Sequence, residues 1–342
     1  MDMLFLLDKT VIAFIAFAIT LLIATYSTYA ERKIAAFMQD RVGPDRAGPF
    51  GILQPLADAG KFFFKEEIIP NASDKFLFIA GPGIAMLTAL MTSVVIPWGD
   101  TLNIAGREIS LQVSDLNIGV LYIFGVVSLG VYGIMIGGWA SNNKFALLGA
   151  IRASSQMISY ELSMGLALIA LIMMTGTLSL KEIVDQQHGM NWNIFYQPFG
   201  FLLFVVCAFA ECNRTPFDLP ECETELVGGY HTEYSSMKLG FFMFAEYINM
   251  FISSAFMASL YFGGYNFPFM DSLGLDQNII TIIGVFVFFL KIFAFIFLFM
   301  WIRWTLPRFR YDQLMRLGWQ YMIPLALIHL FATGAVLLWA DK

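Results

Sequence analysis

Eight stretches of this chain, near 8 to 29, 76 to 97, 118 to 140, 149 to 174, 194 to 212, 239 to 262, 279 to 302 and 319 to 339, are apolar and long enough to cross a bilayer, a crossing that takes about 20 helical residues. Inside hydrocarbon, every backbone N–H and C=O must be satisfied within the segment or in a closed barrel. No alternating ten-residue pattern replaces any of these stretches, so the helix is the expected solution. Composition points the same way: 58% of residues are hydrophobic and 13% charged, with 35 Phe, outside the range of a soluble domain. The expected fold is all-α, a polytopic membrane protein with eight transmembrane helices. The connectors are short apart from the first, so residues 1–342 are expected to form one integral membrane domain.

An even number of spans puts both termini on one side, and the basic residues choose the side. Connectors after the odd-numbered spans hold 15 of the 20 Lys and Arg residues, from Arg32 and Lys33 to Arg310 and Arg316. The opposite side holds only Lys9, Arg107, Lys181 and Lys342. This asymmetry predicts both termini on the outer, periplasmic side. The first span is expected to be retained and not cleaved as a signal peptide, because its strong charges follow the apolar run.

Residues 30–75 form the longest connector. Its first half turns at Gly43-Pro44 and Gly48-Pro49. Its second half has helical period, with Gln54, Asp58, Lys61 and Lys65 at i, i+4, i+7 and i+11 on one face and Leu53, Leu56 and Phe63 covering much of the rest. Such a helix lies at the membrane surface. Its polar stripe either faces water or lines a chamber that an amphipathic substrate enters from the bilayer.

Between the fifth and sixth spans runs ECNRTPFDLPECETELVGGYHTE, residues 211–233, with six carboxylates (Glu211, Asp218, Glu221, Glu223, Glu225, Glu233) against a single basic residue, Arg214. Acids beside apolar spans usually face a water-filled cavity, a partner or a proton path; a solvated acidic loop is the plainer alternative. Glu221 and Glu225 share a face if the segment is helical, and Glu223 joins them if it is extended. Both arrangements crowd like charges and favour proton exchange. Within the spans stand Glu161, Glu246 and Lys291, functional candidates because each is costly to place there, with snorkelling as the alternative.

Several chemistries are absent. The chain has no dinucleotide or phosphate-binding glycine motif and no CxxC. Cys207, Cys212 and Cys222 are too few and wrongly spaced for an iron-sulfur cluster, Cys212, Cys222 and His231 match no common zinc pattern, and His188 and His329 are isolated. No metal site and no redox cofactor of its own is expected.

The stretches ERKIAAFMQDRVGPDRAGPFGILQPLADAGKFFFKE, ALLGAIRASSQMISYELSMG, AECNRTPFDLPECETELVGGYHTEYSSMKLGFFMFAEY and WIRWTLPRFRYDQLMRLGW closely resemble the H-subunit family of bacterial NADH-quinone oxidoreductase, respiratory complex I. The resemblance covers nearly the whole chain. It implies a cell inner membrane component that joins the hydrophilic arm to the membrane arm and forms the entrance and much of the chamber for quinone, the substrate. FMN and the iron-sulfur clusters would lie in partner subunits. The implied partners are the quinone-site and iron-sulfur subunits of the hydrophilic arm, the small membrane subunits of the pumping arm and the lipid bilayer, with no nucleic acid. Carried over by motif, Arg32, Asp58, Lys61, Glu211, Arg214, Glu221, Glu223 and Glu225 would line or flank the chamber. Glu161 and Glu246, with Glu233 and Lys291, would carry proton coupling. Three alternative readings stand beside it: the equivalent component of an energy-converting hydrogenase or another donor:quinone dehydrogenase, which would share the fold and topology; a stand-alone cation/proton antiporter; and a passive membrane anchor.

Overall fold

The computed structural model describes residues 3–104, 106–218, 226–270 and 274–340. The protein is an all-α polytopic membrane protein. Its helices are α1 (Met3–Met38), α2 (Gln54–Phe64), α3 (Lys75–Thr92), α4 (Gly119–Ala140), α5 (Lys144–Thr175), α6 (Leu180–Asp185), α7 (Asn193–Tyr196), α8 (Pro198–Glu211), α9 (Ser236–Tyr261), α10 (Gln277–Thr305) and α11 (Tyr311–Ala340). Among the described residues, seven of them (α1, α3, α4, α5, α9, α10 and α11) are long and apolar enough to cross a membrane.

The expected span over 194–212 takes a different form. Its residues form α7 and the 14-residue α8, the latter only about 21 Å long. Pro198 opens α8, where its missing N–H costs nothing, and Gln197 before it is non-helical, as the residue ahead of a proline tends to be. The expected helix in the first connector forms as α2, with Pro55 in its first turn. Lys65 falls just beyond it, at the C-cap. A feature not anticipated from sequence is a small antiparallel hairpin, β1 (Thr101–Ile104) with β2 (Arg107–Ser110), paired Thr101 to Ser110 through Ile104 to Arg107. The hairpin is pinned to α10 by reciprocal bonds between the Asn278 side chain and the Asn103 backbone, 2.8 and 2.9 Å, and by Thr281 donating to the Thr101 carbonyl. Such side-chain to backbone pairs satisfy a short ladder that cannot satisfy itself.

Two helices form the interior. Along α9, Phe251, Ala255, Ala258 and Tyr261 are buried, and α9 packs on α1, α3 and α10; α5 packs on α4, α8 and α11. Close approach comes from small residues, as is usual where lipid supplies no hydrophobic drive between helices. A Cβ on Gly133 of α4 would lie 2.8 Å from the Ala85 nitrogen of α3, and one on Gly81 would lie 2.9 Å from the Gly137 Cα. In α11 a wide π turn over Leu317–Met322 brings Trp319 Nε1 to donate to Ser159 Oγ at 3.1 Å, one turn from the bond between Tyr160 and the Leu314 carbonyl.

At the hairpin end, Tyr265 donates to Asp185 at 2.5 Å. Burial lifts the Asp185 carboxyl above the ordinary carboxylate range, with the Tyr265 hydrogen bond working against it, and burial likewise raises the Tyr265 hydroxyl.

Candidate functional site

The end of the bundle opposite the hairpin carries a buried cluster of charges. On α1, Ala24, Ser27, Glu31 and Ala35 recur at helical spacing and are all buried, so this face turns Glu31 inward. Its carboxylate meets Arg303 of α10 at 2.5 Å, Arg214 at 3.4 Å and the Tyr247 hydroxyl of α9 at 2.9 Å. Arg214 also lies 3.9 Å from Glu246, and its guanidinium sits 4.0 Å over the Tyr247 ring. Tyr230 donates to Glu246 at 3.2 Å. Glu31, Arg214 and Glu246 are each less than a tenth exposed, and charges buried this deeply persist only when paired and hydrogen-bonded.

Local structure holds Arg214 in place. It lies in the turn that follows α8, where Gln156 of α5 donates to the Ala210 carbonyl at 2.8 Å and the Phe217 carbonyl at 2.7 Å. Asp218, four residues on, pairs with Arg308 at 2.7 Å. The turn is therefore fixed from both sides by side chains distant in sequence.

From this cluster, cavities extend in two directions. Toward the surface, a cavity of about 120 Å³ lies between α1, α2 and α9, with Arg32, Asp58, Phe62, Phe244 and Tyr247 in its wall. Arg32 and Asp58 pair across it at 2.7 Å, and Gln54 steadies Asp58 at 3.1 Å. Toward the bilayer interior, a cavity of about 20 Å³ is lined by Glu246, Tyr230, Cys212 and Asn249. It shares Cys212 and Asn249 with a cavity of about 40 Å³, lined also by Glu161 and Glu211. Both exceed the roughly 10–15 Å³ that a water molecule requires. Ser128 of α4 donates to Glu161, whereas neither oxygen of the buried Glu211 has a hydrogen-bond partner among the described residues. Tyr247 thus belongs to both the surface cavity and the charge cluster, and Glu246 belongs to both the cluster and the inner cavities.

Two expected residues stand apart from this line. Lys291 of α10 donates to the carbonyls of Phe262, Gly264 and Asn266 at 2.7, 2.8 and 2.6 Å and lies 4.9 Å from the Trp192 ring centroid. Glu233 accepts from Asn143, the N-cap of α5, at 2.6 Å. Lys61 is not in the wall of the α1–α2–α9 cavity. Glu221, Glu223, Glu225 and Cys222 lie outside the described residues. Among the described residues, no three His, Cys, Asp or Glu side chains are grouped to hold a metal.

The family model of NADH dehydrogenase matches residues 10–334. The chain belongs to that family. Within it, this chain is 70% identical to the NADH-quinone oxidoreductase H subunit 1 of Cytophaga hutchinsonii over 98% of both chains. It is 65% identical to the NADH-quinone oxidoreductase H subunit of Flavobacterium psychrophilum over 99% of both. Identity to the NADH-quinone oxidoreductase H subunit 2 of Geobacter metallireducens is 49%, covering 94% of this chain and 93% of that one.

In this NADH dehydrogenase family chain, the residues that sequence reasoning missed are Glu31, Arg303, Tyr247, Tyr230, Ser128 and Asn249. Glu31 and Arg303 stand at the ends of apolar runs, among other charges, where they read as ordinary interfacial anchors. A signal for Glu31 was present in the small-residue stripe Ala24, Ser27, Glu31, Ala35. Tyr247, Ser128 and Asn249 carried none, because uncharged polar residues are common on helix faces in the membrane, and Tyr230, in the short turn Gly229–His231, stood among other loop residues.

Proposed function

We propose that this chain is the H-type membrane component of a proton-translocating NADH:quinone oxidoreductase, contributing the quinone entrance and the first part of a proton-coupling route. The observation that carries this reading is the succession of polar groups described above, joined in part by direct contacts and in part by shared cavities. It runs from the Arg32–Asp58 pair through Tyr247, Glu31, Arg214 and Glu246 to the cavity shared by Glu211 and Glu161. The cavity between α1, α2 and α9 mixes apolar wall residues with Thr25, Thr28, Tyr247 and one charged pair, which suits an amphipathic quinone arriving from the bilayer. The Arg32–Asp58 pair, with Glu211, Arg214 and the acids at 221, 223 and 225, would flank the headgroup.

In this reading, reduction of quinone next to the hydrophilic arm changes charge or proton occupancy at the chamber, and the coupled carboxylates transmit the change inward. Arg214 is well placed as the link, since its guanidinium faces carboxylates on both sides. Lys61, Glu233 and Lys291 would play supporting roles. FMN, the iron-sulfur clusters and the groups that bind the quinone headgroup most directly would belong to partner subunits. Eight membrane crossings, with α2 at the interface and both termini on the periplasmic side of the inner membrane, fit the bias of basic residues.

The test is NADH:quinone turnover with simultaneous proton uptake in native membranes, comparing wild type with Glu161→Gln and checking assembly by native gel. The expected outcome is intact assembly with turnover or pumping reduced. A fully active and fully coupled Glu161→Gln enzyme would refute the coupling role.

A further inference from the structure

At the hairpin end, far along α1 from Glu31, lies a cavity of about 140 Å³ that the site above does not use. Ile12, Ala16 and Ile19 of α1 form one wall, Val285 and Phe289 of α10 another, and Trp98 and Leu111 close the end. It opens on a seam where Ile15 of its α1 wall and Phe286, next to Val285 on α10, are exposed. Apolar cavities of this size stay dry and accept apolar guests.

Three observations describe the guest. Trp98 is buried and stacked against Phe251 and Phe289, at 5.6 and 5.9 Å between ring centroids, yet its indole N–H has no acceptor among the described residues. A buried Trp usually finds one. Lys9 sits on the same α1 face as Ile12, Ala16 and Ile19, one turn closer to the helix start. Its ammonium donates to the Gln112 carbonyl at 2.6 Å, the residue directly after Leu111 of the cavity wall, which leaves two N–H donors. Asp115 and Lys181 are electrostatic neighbours of Lys9, so the residues beside the cavity carry both signs. The cavity is thus an apolar slot with one hydrogen-bond donor in its wall, and a cation lies one turn along α1.

We infer that this seam is a specific binding site for one zwitterionic glycerophospholipid. One acyl chain lies in the slot along Ile12 to Ile19, an ester carbonyl accepts from Trp98, and the phosphate sits at Lys9 with the amine toward Asp115. The slot suits the apolar tail, the Trp98 donor the ester and the Lys9–Asp115 pair the charged headgroup, the residue types that anchor at a membrane interface. A transmembrane helix from another chain would fill the slot but would leave the Trp98 donor without an acceptor, because its backbone carbonyls are already used.

The test uses the whole enzyme in native-lipid nanodiscs containing phosphatidylethanolamine with a diazirine on one acyl chain. After photolysis, adducts are mapped by peptide mass spectrometry. Adducts at residues 12–19 and 285–289 should exceed those on lipid-facing Phe331 and Leu338 of α11 several-fold, and unlabelled phosphatidylethanolamine should compete them away. Ala16→Phe, which fills the slot, should bring labelling down to the α11 level. Lys9→Gln and Trp98→Phe should lower it by smaller factors, and they decide the matter if Ala16→Phe fails to assemble. Labelling no higher than on α11, labelling unchanged in these variants, or cross-linking of this face to another protein would overturn the assignment.

Discussion

Arg214 and Lys291 are both cations buried in a membrane bundle, but their surroundings differ. Arg214 faces Glu31 and Glu246, partners that can themselves gain or lose protons. Lys291 has all three ammonium protons committed to the carbonyls of Phe262, Gly264 and Asn266, just beyond the C-terminus of α9, where a helix leaves its last carbonyls without partners and favours positive charge. A cation among carboxylates can relay a change in charge. A cation enclosed by backbone carbonyls mainly holds a loop in shape. A buried charge is therefore a candidate for coupling only when its neighbours titrate.

This contrast can be broken in three ways. The largest effect is expected from Arg214→Gln, which leaves two buried carboxylates short of positive charge and should cost about 3–5 kcal/mol. The readout is the amount of assembled enzyme on native gels. Adding Glu246→Gln should restore part of it, and a double variant no better than the single would show that the two residues are not energetically linked.

Lys291→Met comes next. It strands three carbonyls, at about 1–3 kcal/mol for each group left without a partner, so the thermal midpoint of the purified enzyme should fall. The protons moved per electron should stay the same in the enzyme that assembles. A reduced proton ratio at unchanged thermal stability would move Lys291 into the coupling route and erase the contrast.

The smallest effect concerns Asp185, a buried acid whose partner is the Tyr265 hydroxyl. Burial raises its folded pKa above the ordinary value of 3.8. The stability linked to this group is therefore complete at low pH and is lost as pH rises through the raised value. Lowering pH from neutrality toward the carboxylate range should raise the thermal midpoint of wild type relative to Asp185→Asn. Parallel pH profiles would mean that the carboxyl is effectively solvated.

Much of this architecture was legible in the residues. Long apolar runs announce membrane helices because hydrocarbon leaves the backbone no other partner, and seven of the eight expected spans appear as long helices. The eighth is shorter because Pro198 restarts the helix partway through the run. Glu161, Glu246, Glu211 and Arg214 stood out because a charge within or against an apolar run is rare. The hairpin did not, since four-residue strands leave almost no periodic signal and this pair depends on Asn278 and Thr281, more than 170 positions away.

The sequence by itself determined that this chain is helical, crosses a membrane and carries acids where acids are expensive, because those properties follow from transfer energies and helix period, both local. Which charges meet was decided only by the tertiary structure. Glu31 on α1, Arg214 after α8, Glu246 on α9 and Arg303 on α10 are far apart in the chain and converge because α1, α8 and α10 all pack against α9. The same packing gave Lys291 three carbonyls and left Glu211 facing a cavity. Pairing energies depend on distances of a few ångströms between segments that the sequence does not order relative to one another, so only the fold separates a coupled charge from a structural one.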